Sequence, residues 1–157
     1  MANLGTSTLV IALLLASYSA LVSFVGAKKR DRPAVISSQR ATYVSTLALL
    51  ISVAALVVAF LQNDFSVRYV AEHSNLAMPR IYTWVAFYAG NEGSLLYVAF
   101  ALSAMATVSM VMIPRRFGTL RPYANGVLML ILVFFLVVLL SLANPFASFA
   151  TTPSDGK

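Results

Sequence analysis

The chain has 157 residues, 60% of them hydrophobic and 10% charged, with a formal net charge of +6. This composition fits a polytopic membrane protein. It has no cysteine and a single histidine, which excludes a disulfide framework, a thiolate metal site and a metal site built from histidines alone. Paired carboxylates at helical spacing, a nucleophile close to a histidine and a glycine-rich phosphate loop are all missing, so nothing requires catalysis by this chain alone.

Four runs of about 20 residues are long enough to cross a hydrocarbon core as helices. The first is Leu4 to Gly26. Small residues near Ala20 resemble a signal-peptide cleavage site, but Met1 to Thr8 carries no basic residue and the basic cluster follows the run, so a retained span is expected. Ala12, Ala16 and Ala20 recur every four residues, which suits either close helix packing or simple helix filler. The second run is Ala41 to Gln62, reached through Arg32-Pro33, a proline context that fits a helix start or a turn.

Residues 63 to 92 form an outer segment too short for a folded domain and too long for a tight turn. It opens with DFSVRYVAEHSN (64–75). Next comes PRIYTWVAFYA (79–89), with a proline at a plausible first helical position and an aromatic run ending at Gly90. As a helix it would be about 16 Å long, insufficient to span, and Tyr82, Trp84, Phe87 and Tyr88 suit the headgroup level. The expectation is a short interfacial helix, serving as an anchor or as one wall of a groove for a flat ligand or partner.

The third run, Gly93 to Ile113, begins at NEGSLL (91–96). Asn91, Glu92 or Ser94 is expected to cap it, and Glu92 is also a candidate for charge pairing with Arg68 or Arg80. Ala99, Ser103 and Thr107 give this run its own stripe of small residues. Ile113-Pro114 and Arg121-Pro122 punctuate the connection to the fourth run, Tyr123 to Ala143. Its VLMLILVFFLVVLL (127–140) has no small or polar residue and is expected to face lipid or an apolar partner.

The cations sort by loop. Lys28, Lys29, Arg30, Arg32, Arg40, Arg115, Arg116 and Arg121 share one side with the single acid Asp31, whereas Arg68, Arg80 and Lys157 lie opposite with Asp64, Glu72, Glu92 and Asp155. Lys- and Arg-rich short loops stay in the cytoplasm, so both termini and the outer segment are expected outside. The basic character then reflects topology and contact with anionic membrane lipid, not nucleic acid binding. His73 is either an ordinary loop residue or one axial haem ligand.

The string DFSV-x-YVA-x-x-SN, then Pro79 and Tyr82, then EGSLL, resembles the CcmF/NrfE/CcsA family of cytochrome c-type biogenesis proteins, most closely its CcmF branch. Asp64, Phe65, Ser66, Val67, Tyr69, Val70, Ala71, Ser74, Asn75, Pro79, Glu92, Gly93, Ser94 and Leu95 match residue by residue. The likeness covers essentially the whole chain, including Asn144-Pro145-Phe146 followed by Pro153 and Asp155-Gly156. One departure is Asn91, where the family often has histidine or another residue.

The resemblance implies an all-α integral membrane protein with four transmembrane helices in a single membrane domain over residues 1–157. It further implies that this is the N-terminal portion of a longer protein, as a truncated reading or as one piece of a split one. Haem would be handled at the outer face of the bacterial inner membrane, received from a haem chaperone and attached to apocytochrome c with other maturation components. The family's haem ligands would lie beyond Lys157, leaving Asp64, Phe65, Ser66, Tyr69, Ser74, Asn75, Glu92, Gly93 and Ser94 as motif residues of functional interest. A non-catalytic accessory subunit of an electron-transfer or transport complex, docking through the fourth span, is the alternative.

Overall fold

The computed structural model describes residues 2–74, 90–114 and 118–148. The described residues form helices α1 (Ala2–Lys29), α2 (Arg32–Leu61), α3 (Arg68–His73), α4 (Asn91–Met112) and α5 (Arg121–Ser141). All but α3 are long and apolar enough to cross a membrane. The expected interfacial helix at 79–89 lies outside the described residues, as do Asn75, Pro79 and Arg80.

The second span is longer than the apolar run suggested, because its helix begins at Arg32. Local chemistry at the α1–α2 turn explains this. Arg30 adopts a positive φ of 54°. The Asp31 N–H then donates to the Gly26 carbonyl at 2.9 Å and the Arg30 N–H to Ala27 at 3.3 Å, a Schellman closure of α1. Asp31 goes straight on to cap α2, its carboxylate accepting from the Ala34 N–H at 3.3 Å with Pro33 in the first turn. Proline here opens a helix, and the connection shrinks to Arg30 and Asp31.

The long helices run alternately up and down, with α1 packed on α2 and α5, and α4 packed on the same two. Buried positions follow a heptad-like spacing. In α1 they include Gly5, Leu9, Ala12, Ala16, Ser19, Ser23 and Gly26, and in α2 Ser38, Thr42, Ser45, Leu49, Ser52, Leu56 and Ala59. In α5 they include Pro122, Asn125, Met129, Leu132, Leu136 and Leu139, again three or four apart, with Gly126 buried beside Asn125. Such seams belong to left-handed helix bundles with knobs-into-holes packing. The other face of α5, with Leu130, Phe134 and Val137, is exposed, as the apolar fourth run led us to expect.

Hydroxyls and one amide tie the seams together. Asn125 is fully buried; its Nδ2 donates to Ser19 Oγ at 3.0 Å and Ser23 Oγ at 2.9 Å, while its Oδ1 accepts from Thr42 Oγ1 at 2.9 Å. Three helices therefore meet at one side chain. Elsewhere Thr46 Oγ1 lies 2.8 Å from Thr107 Oγ1 and bonds Ser103, joining α2 to α4, and Thr8 Oγ1 lies 2.6 Å from Ser52 Oγ. Buried polar atoms in a membrane bundle need such partners.

Replacing Asn125 by Ala removes three hydrogen bonds between α5 and its neighbours, while the hydroxyls of Ser19, Ser23 and Thr42 keep their bonds to one another and to Ser38. The Asn125→Ala chain is expected to lose about 1–2 kcal/mol of stability, read as a lower unfolding temperature in detergent.

Candidate functional site

The motif residues gather at one end of the bundle, where α2 ends and α4 begins. The close of α2 is a second Schellman motif: Asn63 sits at φ 50°, its N–H donates to Phe60 at 3.2 Å, and the Asp64 N–H donates to Ala59 at 2.9 Å. Asparagine tolerates this left-handed backbone better than most residues. The turn re-aims the chain, and Asp64 stabilises it by accepting from Ser66 Oγ at 2.5 Å and from the Ser66 N–H at 3.3 Å. The Ser66 hydroxyl holds the Asp64 carboxyl below its ordinary value, an effect opposed by partial burial.

Beyond the turn, Phe65, Val67, Tyr69, Val70 and Ala71 are all buried and join the core, so this part of the segment is packed down. Val67 forms an antiparallel bridge with Ser148, and the Arg68 N–H donates to the Ala147 carbonyl at 2.8 Å. The stretch after α5 is shaped for this contact. Asn144 Oδ1 accepts from the Phe146 N–H at 3.0 Å, making an Asx-type turn, and the Phe146 ring packs against Gly5 of α1. The NPF motif thus fastens the outer segment to two further helices.

Tyr69 makes the contact to α4. Its hydroxyl oxygen accepts from the Gly90 N–H at 3.1 Å, and its ring meets Phe60 edge-on with centroids 5.5 Å apart. Gly90 is the N-cap of α4 and has no side chain with which to cap it. The expected capping by Asn91, Glu92 or Ser94 is therefore corrected: those residues lie inside the first turn, and the oxygen comes from Tyr69 on another element. Ser94 Oγ instead donates back to the Gly90 carbonyl at 2.9 Å. Burial pushes the Tyr69 phenol above its ordinary value; the backbone N–H groups of Gly90 and Gly93 oppose this, and the Glu92 charge adds to it.

Glu92 stays in the first turn of α4, where a negative charge is favoured by the helix dipole. The pairing with Arg68 is also corrected. Arg68 instead faces Glu72 one helical turn on, with Nε 3.8 Å from Oε1 on an exposed surface, where an ion pair contributes little. Gly93 is buried, and the buried Ser74 hydroxyl has no hydrogen-bond partner among the described residues.

His73 contacts Tyr69 in two ways. Its Nδ1 lies 3.0 Å from the Tyr69 carbonyl, which can only accept, so Nδ1 carries the proton; the two ring centroids are 4.5 Å apart with the planes tilted by 41°. The remaining nitrogen, Nε2, is aimed at α4, since a Cβ added to Gly90 would lie 2.9 Å from it and 2.5 Å from Tyr69 Cε2. Among the described residues there is also no group of three or more His, Cys, Asp or Glu able to hold a metal ion. Among the described residues His73 is the one imidazole, and its Nδ1 is committed to the Tyr69 carbonyl.

Three of these features escaped the sequence reading: Gly90 as the point of closest approach, Tyr69 as a cap, and Asn125 as the hub of the bundle. The signals were Gly90 just before NEGS, and the pair Asn125-Gly126 at the threshold of an otherwise hydrocarbon run.

Along nearly its whole length the chain is similar to proteins named for cytochrome c-type biogenesis. No family model matches the chain. It is 30% identical over 155 residues to the cytochrome c-type biogenesis protein NrfE of Haemophilus influenzae, covering 99% of this chain and 24% of that protein. It is 32% identical to CcmF of Pseudomonas fluorescens, covering 98% and 24%, and 27% identical to CcmF of Escherichia coli, covering 100% and 24%. Among solved structures it matches the Cytochrome c Heme Lyase CcmF with a TM-score of 0.85 and 25% identity, over 92% of this chain and 24% of that one. The chain is a homologue of the CcmF, NrfE and CycK cytochrome c-type biogenesis proteins, and spans about a quarter of their length.

Two substitutions separate the parts of the Tyr69 contact. Tyr69→Phe keeps the ring but removes the acceptor, and is expected to cost about 1 kcal/mol. Gly90→Ala has an allowed backbone, with φ −104°, yet drives a methyl into Tyr69. It is expected to cost about 1–3 kcal/mol. Hydrogen exchange at the first turn of α4 should accelerate in both.

Proposed function

We propose that this chain is the N-terminal membrane portion of a cytochrome c haem lyase, helping to deliver or attach haem to apocytochrome c on the outer face of the bacterial inner membrane. The observation that carries this reading is the structural likeness to the Cytochrome c Heme Lyase CcmF over 92% of the chain. The role of this portion is scaffolding. Several of its motif residues spend their polar atoms on one another and on helix ends, as Asp64 does with Ser66 and Tyr69 with Gly90.

Haem and its ligands belong, on this reading, to the part of the lyase that follows Lys157. A haem chaperone, apocytochrome c and other maturation components are the partners, and the clipped outer segment forms part of the surface on which they meet. The uneven distribution of Lys and Arg supports termini on the outer side, with the α1–α2 turn in the cytoplasm. Glu92 stands in the first turn of α4, at the rim of this surface.

Deletion of the gene is expected to abolish covalent haem attachment to c-type cytochromes, followed by haem staining of membranes. Glu92→Gln is expected to lower attachment severalfold at normal protein levels. Normal attachment after deletion contradicts the proposal, and full attachment by Glu92→Gln removes the role given to that charge.

A further inference from the structure

The α1–α2 turn carries a cationic cluster that the haem-lyase reading does not use. Lys28, Lys29, Arg30 and Arg32 are all exposed within five residues. The one acid among them, Asp31, has its carboxylate engaged in capping α2 through the Ala34 N–H. The cluster also sits at the C-terminal end of α1, where the helix dipole favours positive charge.

Arg30 adds a second observation. It occupies the left-handed position of a Schellman motif, where glycine is the usual residue and a side chain costs about 1–2 kcal/mol. The turn thus holds an arginine where backbone geometry alone would select glycine.

A third observation is apolar. Leu14, Tyr18, Leu21, Val25 and Lys28 recur at three- and four-residue spacing, so they form one stripe along α1. The stripe is open: Leu14 is 64% exposed, Leu21 68% and Val25 51%. From Lys28 to Leu14 it runs about 21 Å, more than the ~15 Å depth of one leaflet's hydrocarbon. Ile36 of α2, also exposed, widens the apolar surface next to the cations.

We infer that the α1–α2 turn is a docking surface for an anionic phospholipid, its phosphate held by Lys28, Lys29, Arg30 and Arg32 and an acyl chain lying along Val25, Leu21 and Leu14. Charge alone would suit any polyanion. A cationic head joined end-on to an open apolar stripe of acyl-chain length suits an amphiphile. This inference rests on the membrane-spanning arrangement of the four long helices and is independent of the haem-lyase reading.

The test uses the full chain purified in neutral detergent and titrated with phosphatidylglycerol or phosphatidylcholine, with bound lipid counted by native mass spectrometry. Phosphatidylglycerol is expected to bind at least tenfold more tightly. Each of Lys28→Gln, Lys29→Gln, Arg32→Gln and Arg30→Gly is expected to weaken it about fivefold, leaving phosphatidylcholine unchanged. Arg30→Gly controls for misfolding, because it relieves the backbone and should unfold at the same or a higher temperature. Equal binding of the two lipids, undiminished phosphatidylglycerol binding by the variants, or competition by millimolar inorganic phosphate as effective as by lipid would each overturn the inference.

Discussion

In hydrocarbon a helix gains nothing by turning its apolar side chains inward, so a membrane bundle holds together through close backbone approach and paired polar groups. The small and hydroxyl residues along the α1 and α2 seams answer that constraint, and the rest of the structure depends on it. Gly5, Ala12 and Ala16 let α1 approach its neighbours, and Asn125 bonds α5 to Ser19 and Ser23 of α1 and to Thr42 of α2. The bundle so formed fixes where α2 stops and α4 starts, and therefore where the outer segment is tied.

That segment solves a problem created by the bundle's ends. A helix terminus leaves backbone groups without partners. The α2 carbonyls are closed by Asn63 and Asp64, the Gly90 N–H by Tyr69, and the Arg68 N–H by Ala147. Each closure also docks a piece of the segment onto a helix. Asp64, Ser66 and Tyr69, which look like chemistry in the sequence, fasten the segment to helix ends, in a chain similar to cytochrome c-type biogenesis proteins.

How far the sequence could be read follows from the same physics. The four long apolar runs were legible because crossing a membrane requires length and hydropathy, which are local properties. Their inward faces were less so. Both faces of each helix are apolar, so amphipathicity carries no signal, and the alanine stripes exposed only part of a seam that also uses Leu9, Ser19 and Ser23. The start of α2 was read nine residues late because charged Arg32 and Arg40 look unlike a span although they continue its helix. At the site, DFSV and NEGS were visible as a constellation, but not that Tyr69, twenty-one residues away, supplies the oxygen at Gly90. Contacts between segments distant in sequence leave no periodic trace.

The central claim is that the outer segment is fastened to the end of the bundle by the stretch after α5. The chain has no cysteine, so a pair introduced at the bridged positions, Val67→Cys with Ser148→Cys, reports on that contact alone. In native membranes under mild oxidation the pair should cross-link within minutes and to near completion, shown by a reducible mobility shift, while either single variant shows none. A pair that stays reduced in folded protein, or cross-links only between chains, would contradict the account.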